Sequence, residues 1–352
     1  MQPQSHEFDG FEPLVSVIIR SRDRIPWLLE LLERVFGQTY RNFEVVVIDS
    51  STETSEEEFA RLRAVGDPRL RIIRTPPRGC PAAANDGVRH ARGEIVVFMD
   101  DDDLPERPDW LWCHVRNFQD PNCLGVNGFQ CYPAEHRASE NPLFPALRRR
   151  MTLAYGPFKE PWSFAYLPTR KVGIEHLNGG NSSLRRSAVL LGGGWDEFLN
   201  YHNEHSLFLR LHRRKPEGTY LVFDPDARAI IRKEVPGGLD YRFSGEVDHR
   251  VDTLAKYFLW VVGREYPGRI YGLAPLFVPY FLVLAGIQAW GIAVDRGTNR
   301  LLGFLRGVAH APLALARHTI GERPPAHDGF PAEGLAVEAP AHAGTERGEA
   351  KR

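Results

Sequence analysis

Cysteine is scarce in this sequence. Of 352 residues only Cys80, Cys113, Cys123 and Cys131 are cysteines, with no C-x-x-C pair and no histidines at zinc-finger spacing, which counts against a structural zinc module. The first residues also lack the apolar stretch of a secretory signal, so free thiols in a reducing cytoplasm are expected. Neither sign of charge dominates. Lys+Arg 44 against Asp+Glu 45 leaves a net charge of −1, without the basic field a nucleic-acid partner would require. Lysine is rare, and the basic residues are overwhelmingly arginine, which reads as genome bias. Three motifs are missing as well. Without G-x-G-x-x-G after the first apolar run, or G-x-x-x-x-G-K-[ST] anywhere, dinucleotide oxidoreductases and P-loop NTPases are disfavoured. Without G-x-S-x-G, so is an α/β-hydrolase.

What is present alternates in period. Val15–Ile19, Phe43–Ile48, Leu70–Ile73 and Glu94–Met99 are short, β-branched, apolar runs with strand character. Between them lie helical patterns. Pro26 opens one with Trp27, Leu28, Leu31, Leu32, Val35 and Phe36, residues 55–64 suit a second, and Ala82–Ala91 a third. Strand–helix alternation of this kind predicts an α/β fold, a mostly parallel sheet flanked by helices. Ligands of such sheets bind beyond the carboxyl ends of the strands. Beyond residue 104 the pattern loosens, and residues 132–170, rich in proline and aromatics, read as long connections.

The strand ends are polar. Asp100-Asp101-Asp102-Asp103 follows the fourth strand directly, Asp49 ends the second, and Arg20-Ser21-Arg22-Asp23 ends the first. Four adjacent carboxylates repel one another unless a cation sits among them. A solvated loop or helix cap would show the same run in isolation. Delivered to the ligand edge of a parallel sheet, it suits Mg²⁺ or Mn²⁺ bridging the oxygens of a diphosphate.

At this point the chain resembles glycosyltransferase family 2, inverting enzymes with a GT-A (Rossmann-like) fold. The likeness is carried by Val15–Ile19 with Ser21 and Arg24, by Gln38–Asp49, by Ala84-Asn85, and by Phe98–Pro105 with Pro108–Leu111. It continues in Gly179–Arg186 and Gly193-Gly194-Trp195-Asp196-Glu197, so that it covers residues 14–235. The resemblance implies a nucleoside-diphosphate-sugar donor and a hydroxyl acceptor on a glycan or lipid-linked glycan of the cell envelope. It also implies contacts of Ser21 and Asp49 with the nucleoside, Asp100 near the ribose, Asp101 on the donor side and Asp102 on the metal. Gly180, Asn181, Trp195, Asp196 and His205 become acceptor-side candidates. Three departures stand out. Arg20 replaces the usual proline, Ser50 replaces a second acid after Asp49, and the family's Glu-Asp before L-x-L-R-L reads Asn203-Glu204 here. Aligning on Leu209-Arg210-Leu211 puts Glu204 at the position of the catalytic base. A glutamate can serve, since it differs from aspartate in reach and hardly in intrinsic acidity. The altered segment leaves a silent sugar-nucleotide-binding scaffold as an alternative, and the sheet alone would also suit a nucleotidyltransferase.

Residues 1–12 read as an N-terminal tail, 13–125 as the donor half, 126–240 as the acceptor half and 241–318 as an apolar helical extension. Ile270–Val294 carries no charge, but Pro275 and Pro279 interrupt it, and an amphipathic basic stretch follows. Interfacial membrane contact, a buried helix and a true span are all open on this pattern. The expected location is the cytoplasm, at the inner face of the cell membrane. From Gly321 onward Gly, Ala and Pro make up half of the residues without periodicity, so 319–352 reads as a disordered tail.

Overall fold

A computed structural model describes residues 10–131, 152–163, 168–199, 203–232 and 255–270, with short pieces between 272 and 309. The apolar run Val15–Ser21 becomes β1, buried along its whole length. It pairs in parallel with β2 (Phe43–Asp49) on one side and β4 (Ile95–Asp100) on the other, and β3 (Leu70–Arg74) extends the sheet beyond β2. On the far side of β4 the sheet changes character. There β10 (Ser182–Arg185) runs antiparallel between β4 and β6 (Cys123–Cys131), and β11 (Tyr220–Ile231) follows β6 in parallel. The short β5 (Asp103–Pro105) and β9 (Lys171–Ile174) both pair antiparallel with β11. The mixed sheet confirms the expected α/β class, and one continuous sheet carries both halves of the chain.

Helices cover both faces, which is why the central strands are apolar throughout rather than alternating. Strand alternation sends Val15, Val17 and Ile19 to one face and Ile18 to the other. The first face is packed by α1 (Ile25–Phe36) and α4 (Trp110–Val115). In α1, Leu28, Leu31, Leu32 and Val35 recur at helical spacing and are all buried, and a proline in the first turn starts the helix. The second helix, α2 (Glu56–Arg63), is polar and held by a capping box between Ser55 and Glu58. The opposite face is packed by α3 (Cys80–His90), α5 (Arg186–Gly192) and α6 (Asn203–Arg214), together with a π-helical turn, Tyr257–Val262. Close packing needs Gly87 in α3, where an added Cβ would stand 2.3 Å from Cγ2 of Ile18.

Two stretches differ from the sequence reading. Part of the expected long connection at 132–170 forms a hairpin of β7 (Thr152–Tyr155) and β8 (Pro161–Ser163). The long strands β6 and β11 lay in the irregular second half and were not expected, because their glycines and charges mask the strand pattern. Residues 319–352, most of the N-terminal tail and most of 272–294 lie outside the described residues. The expected apolar extension is therefore not established. No helix among the described residues is long and apolar enough to cross a membrane.

Candidate active site

The same alternation that divides the core also divides the strand ends. Ser21 and Asp49 fall on the side of α1, while Arg20 and Asp100, paired in register across β1 and β4, fall on the side of α3 and α6. Three strand ends and the first turn of α6 thus contribute polar groups around one edge.

On the first side, Asp49 is 1 % exposed. Its Oδ1 accepts hydrogen bonds from Ser51 N at 3.2 Å and from Ser51 Oγ at 2.5 Å. Its Oδ2 is buried with no hydrogen bond among the described residues, and Arg74 Nε lies 3.4 Å away. A buried carboxylate oxygen left short of donors is ready for an N–H from a ligand. Arg74 itself is half exposed and stacks over Phe59, 4.6 Å from the ring centre.

The acidic run splits into separate tasks. Asp101 is buried, and its carboxylate accepts Ser21 Oγ at 2.8 Å and Arg24 Nη1 at 2.6 Å. Ser21 and Asp101 thereby hold each other, and Arg24 fixes the Asp101 carboxylate. Asp102 lies 3.5 Å from Arg24 and is pushed up to about 6, by burial first and then by Asp100 and Asp101. Asp103 is driven well above the carboxylate range by burial, with Asp102 and Asp100 adding to it. Asp100 faces the mouth at 38 % side-chain exposure. Beside these groups Gly180 has no side chain, and a Cβ there would stand 2.7 Å from Oδ2 of Asp103 and 3.1 Å from Oδ2 of Asp100. Crowded carboxylate oxygens, only partly offset by Arg20 and Arg24 and lying next to a glycine cradle, fit a hard divalent cation. No group of three His, Cys, Asp or Glu side chains able to hold a metal occurs among the described residues. The fit is therefore to a cation held by one or two carboxylates, with Asp102 and Asp100 the candidates and the remaining ligands from a diphosphate and water.

Glu204 stands in the first turn of α6, its side chain 23 % exposed. Burial raises its pKa, while the charge of Arg20 works in the other direction. His205 Nε2 is 3.6 Å from Oε1 of Glu204. The His205 ring is buried against His176, 4.5 Å between centres, and Tyr155 Oη donates to the carbonyl of His205 at 2.9 Å. His205 thus backs Glu204 from within the core instead of facing an open acceptor side.

Three other acceptor-side candidates, Asn181, Trp195 and Asp196, are buried in the interior. Asn181 is fully buried with a left-handed φ of 49°; it accepts from Trp110 Nε1 at 2.8 Å and donates to the carbonyls of Phe129 and Ala227 at 3.0 Å. Asp196 forms a fully buried ion pair with Arg210. Trp195 packs on Phe98, and its backbone is bridged by the Asn85 amide. Gly180, alone of the acceptor-side glycines and side chains discussed, borders the acidic cluster.

Sequence reasoning missed Arg20 and Arg24 as members of the site. Arg20 entered only as a departure from a family pattern. The signal was available, because a residue paired in register with Asp100 on the same face must stand beside it.

Residues 16–190 match the family model described as Glycosyl transferase family 2. An uncharacterized glycosyltransferase of Rickettsia felis is 38% identical over 92 residues, 26% of this chain and 15% of that protein. An uncharacterized glycosyltransferase of Bacillus subtilis, EpsJ, is 32% identical over 91 residues, 26% of each chain. The chain thus spans about a quarter or less of the length of these curated relatives. Among solved structures, a mannosyltransferase of Pyrobaculum calidifontis in complex with GDP-Man and Mn²⁺ superposes with a TM-score of 0.54 at 19% identity, covering 89% of both chains. That likeness concerns the fold.

Proposed function

Because the chain belongs to glycosyltransferase family 2, we propose that it transfers a sugar from a nucleoside diphosphate to a hydroxyl acceptor, with inversion at the sugar carbon. The observation that carries this reading is that Asp49 and Asp100 close neighbouring strands of the parallel sheet at one edge, with Glu204 near enough to Asp100 for their charges to interact. In this reading the underused Oδ2 of Asp49 accepts from the nucleobase, and Asp100 reaches the ribose from the mouth. Glu204 takes the proton of the acceptor hydroxyl as that oxygen attacks the sugar carbon. The bond from that carbon to the diphosphate oxygen breaks, and the diphosphate leaves with the electron pair. A divalent cation, when bound at Asp102, supplies positive charge to the departing diphosphate. The raised pKa of Glu204 favours its role, since a base is more effective the closer its pKa lies to the working pH.

The acceptor side is read as a membrane surface carrying a lipid-linked or cell-envelope glycan. A hollow of about 460 Å³ lined by Pro157, Phe158, Leu276, Pro279, Tyr280 and Val283 supports this, together with Leu276, Leu282 and Val283, each more than half exposed. Residues 13–125 then serve the donor and 126–240 the acceptor. A thermal-shift screen of GDP, UDP, CDP and dTDP with Mn²⁺ tests the donor side, followed by transfer assays with sugars of the stabilising base. A chain stabilised by none of them would refute the reading.

A further inference from the structure

Arg20 occupies a position that no part of the proposed reaction has yet used. Its side chain is 8 % exposed, and it leaves β1 on the face of α3 and α6. Nη2 donates both to Oδ1 of Asp100 and to the carbonyl of Gly179, the latter at 2.9 Å. The guanidinium therefore joins the acidic strand end of β4 to the loop that leads into β10. Its Nε is buried without a hydrogen-bond partner among the described residues. Burial disfavours its charge, but the charge and hydrogen bond of Asp100, with the charge of Glu204, outweigh that. Glu204 and Asp100 also act on each other across the same space. Arg20 thus stands beside the donor-side acid, and its charge also acts on the base.

We infer that Arg20 is a positioning residue for the proposed transfer: its fixed guanidinium holds Asp100 and the Gly179–Gly180 loop in place and offsets part of the negative charge that the acidic run presents to a cation. This rests on the transfer reading given above, and its consequences have opposite signs. Without the guanidinium, Asp100 is left among Asp101, Asp102 and Asp103 with less positive charge nearby, so a bare divalent cation is attracted more strongly. At the same time Asp100 and the glycine loop lose their common anchor, so the reacting groups are held less well and turnover falls. A residue that merely stabilised the fold would lower both.

The test uses Arg20→Met and Arg20→Lys in the full chain, with Mn²⁺ alone measured by electron paramagnetic resonance and turnover measured with a panel of GDP- and UDP-sugars. Arg20→Met is expected to bind Mn²⁺ about fivefold more tightly, the effect of one unit charge several ångströms away in a partly wet site. Its turnover should fall about ten- to a hundredfold. Arg20→Lys keeps the charge, so its Mn²⁺ affinity should stay within about twofold of the wild type, with turnover between the other two. If Arg20→Met fails to fold, the lysine variant decides, and a fivefold tightening in it overturns the charge argument. Weaker Mn²⁺ binding by a folded Arg20→Met, or undiminished turnover, overturns the inference. A wild type that acts on no nucleotide sugar overturns the transfer reading instead, while the Mn²⁺ measurements still decide whether Arg20 offsets the acidic run.

Discussion

Arg210 Nη1 meets Asp196 Oδ2 at 2.5 Å, and both side chains are almost completely shielded from water. The same guanidinium donates to the carbonyls of Gly192 at 2.7 Å and Gly194 at 2.5 Å. Arg210 therefore clamps the middle of α6 to the end of α5 and to the turn after it. The same helix carries Glu204 in its first turn. The clamp gives the motif around Leu209-Arg210-Leu211 a physical purpose.

Removing one partner of this pair leaves a buried charge without compensation. Asp196→Ala is expected to destabilise the fold by about 3–5 kcal/mol, read from urea unfolding. At temperatures where the variant is still folded, nucleoside-diphosphate binding should remain, because Asp49 and the acidic run do not depend on this contact. A loss below 1 kcal/mol would show the pair to be dispensable.

Asp102→Asn is expected to abolish the gain in nucleoside-diphosphate affinity that Mn²⁺ brings, since neutralising one hard oxygen ligand removes charge the cation requires. Calorimetry with GDP or UDP, with and without Mn²⁺, measures it. Equal affinity in both conditions for the wild type would remove Asp102 from the metal.

Much of this could be read beforehand, and the reasons are specific. The runs Val15–Ile19, Phe43–Ile48 and Glu94–Met99 are apolar and short, so they announced buried parallel strands and located their carboxyl ends. The helical spacing of Glu204 to Leu209-Arg210-Leu211 likewise announced the helix Asn203–Arg214. Legibility failed where a polar residue could serve either a ligand or the core. Asn181, Asp196 and Asp101 look like ligand groups in a sequence, yet each is consumed by neighbours far along the chain: Asn181 by Trp110, Asp196 by Arg210, and Asp101 by Ser21 and Arg24. Such pairings depend on tertiary contacts that no local pattern records. Strands β6 and β11 failed for another reason, since their pairing with β10 and with each other, rather than their own composition, makes them strands.

The exposed apolar side chains near the C-terminal helices give the membrane proposal a direct check. Tyr280 and Phe281 pack on Phe158, so this segment is anchored to the body, while Leu276, Leu282 and Val283 point outward. Replacing these three by glutamine should reduce co-sedimentation with anionic lipid vesicles about tenfold or more, from the apolar area withheld from the bilayer. The melting temperature should hardly move, because none of the three is buried. Unchanged sedimentation, or a wild type that does not sediment at all, would exclude the membrane as the partner of this surface.

Glu204 should govern chemistry and leave donor binding nearly untouched. Glu204→Gln keeps the size and the hydrogen-bonding capacity but cannot take a proton. Turnover is expected to fall about 10²–10⁴-fold, the usual cost of losing a general base. Affinity for GDP or UDP with Mn²⁺ should stay within about threefold, since those contacts lie on the strand ends. Glu204→Asp should recover part of the rate, because the shorter acid stands at the same position with the same chemistry. The pH dependence follows from the sign of the shift. Burial raises the pKa of Glu204, the active form of a base is the ionised one, and the wild-type rate should therefore climb with pH through a value above the ordinary carboxylate range. In Glu204→Gln that acid limb should vanish from the residual rate. A glutamine variant with full transfer, or one that keeps the limb in place, would take the base away from Glu204.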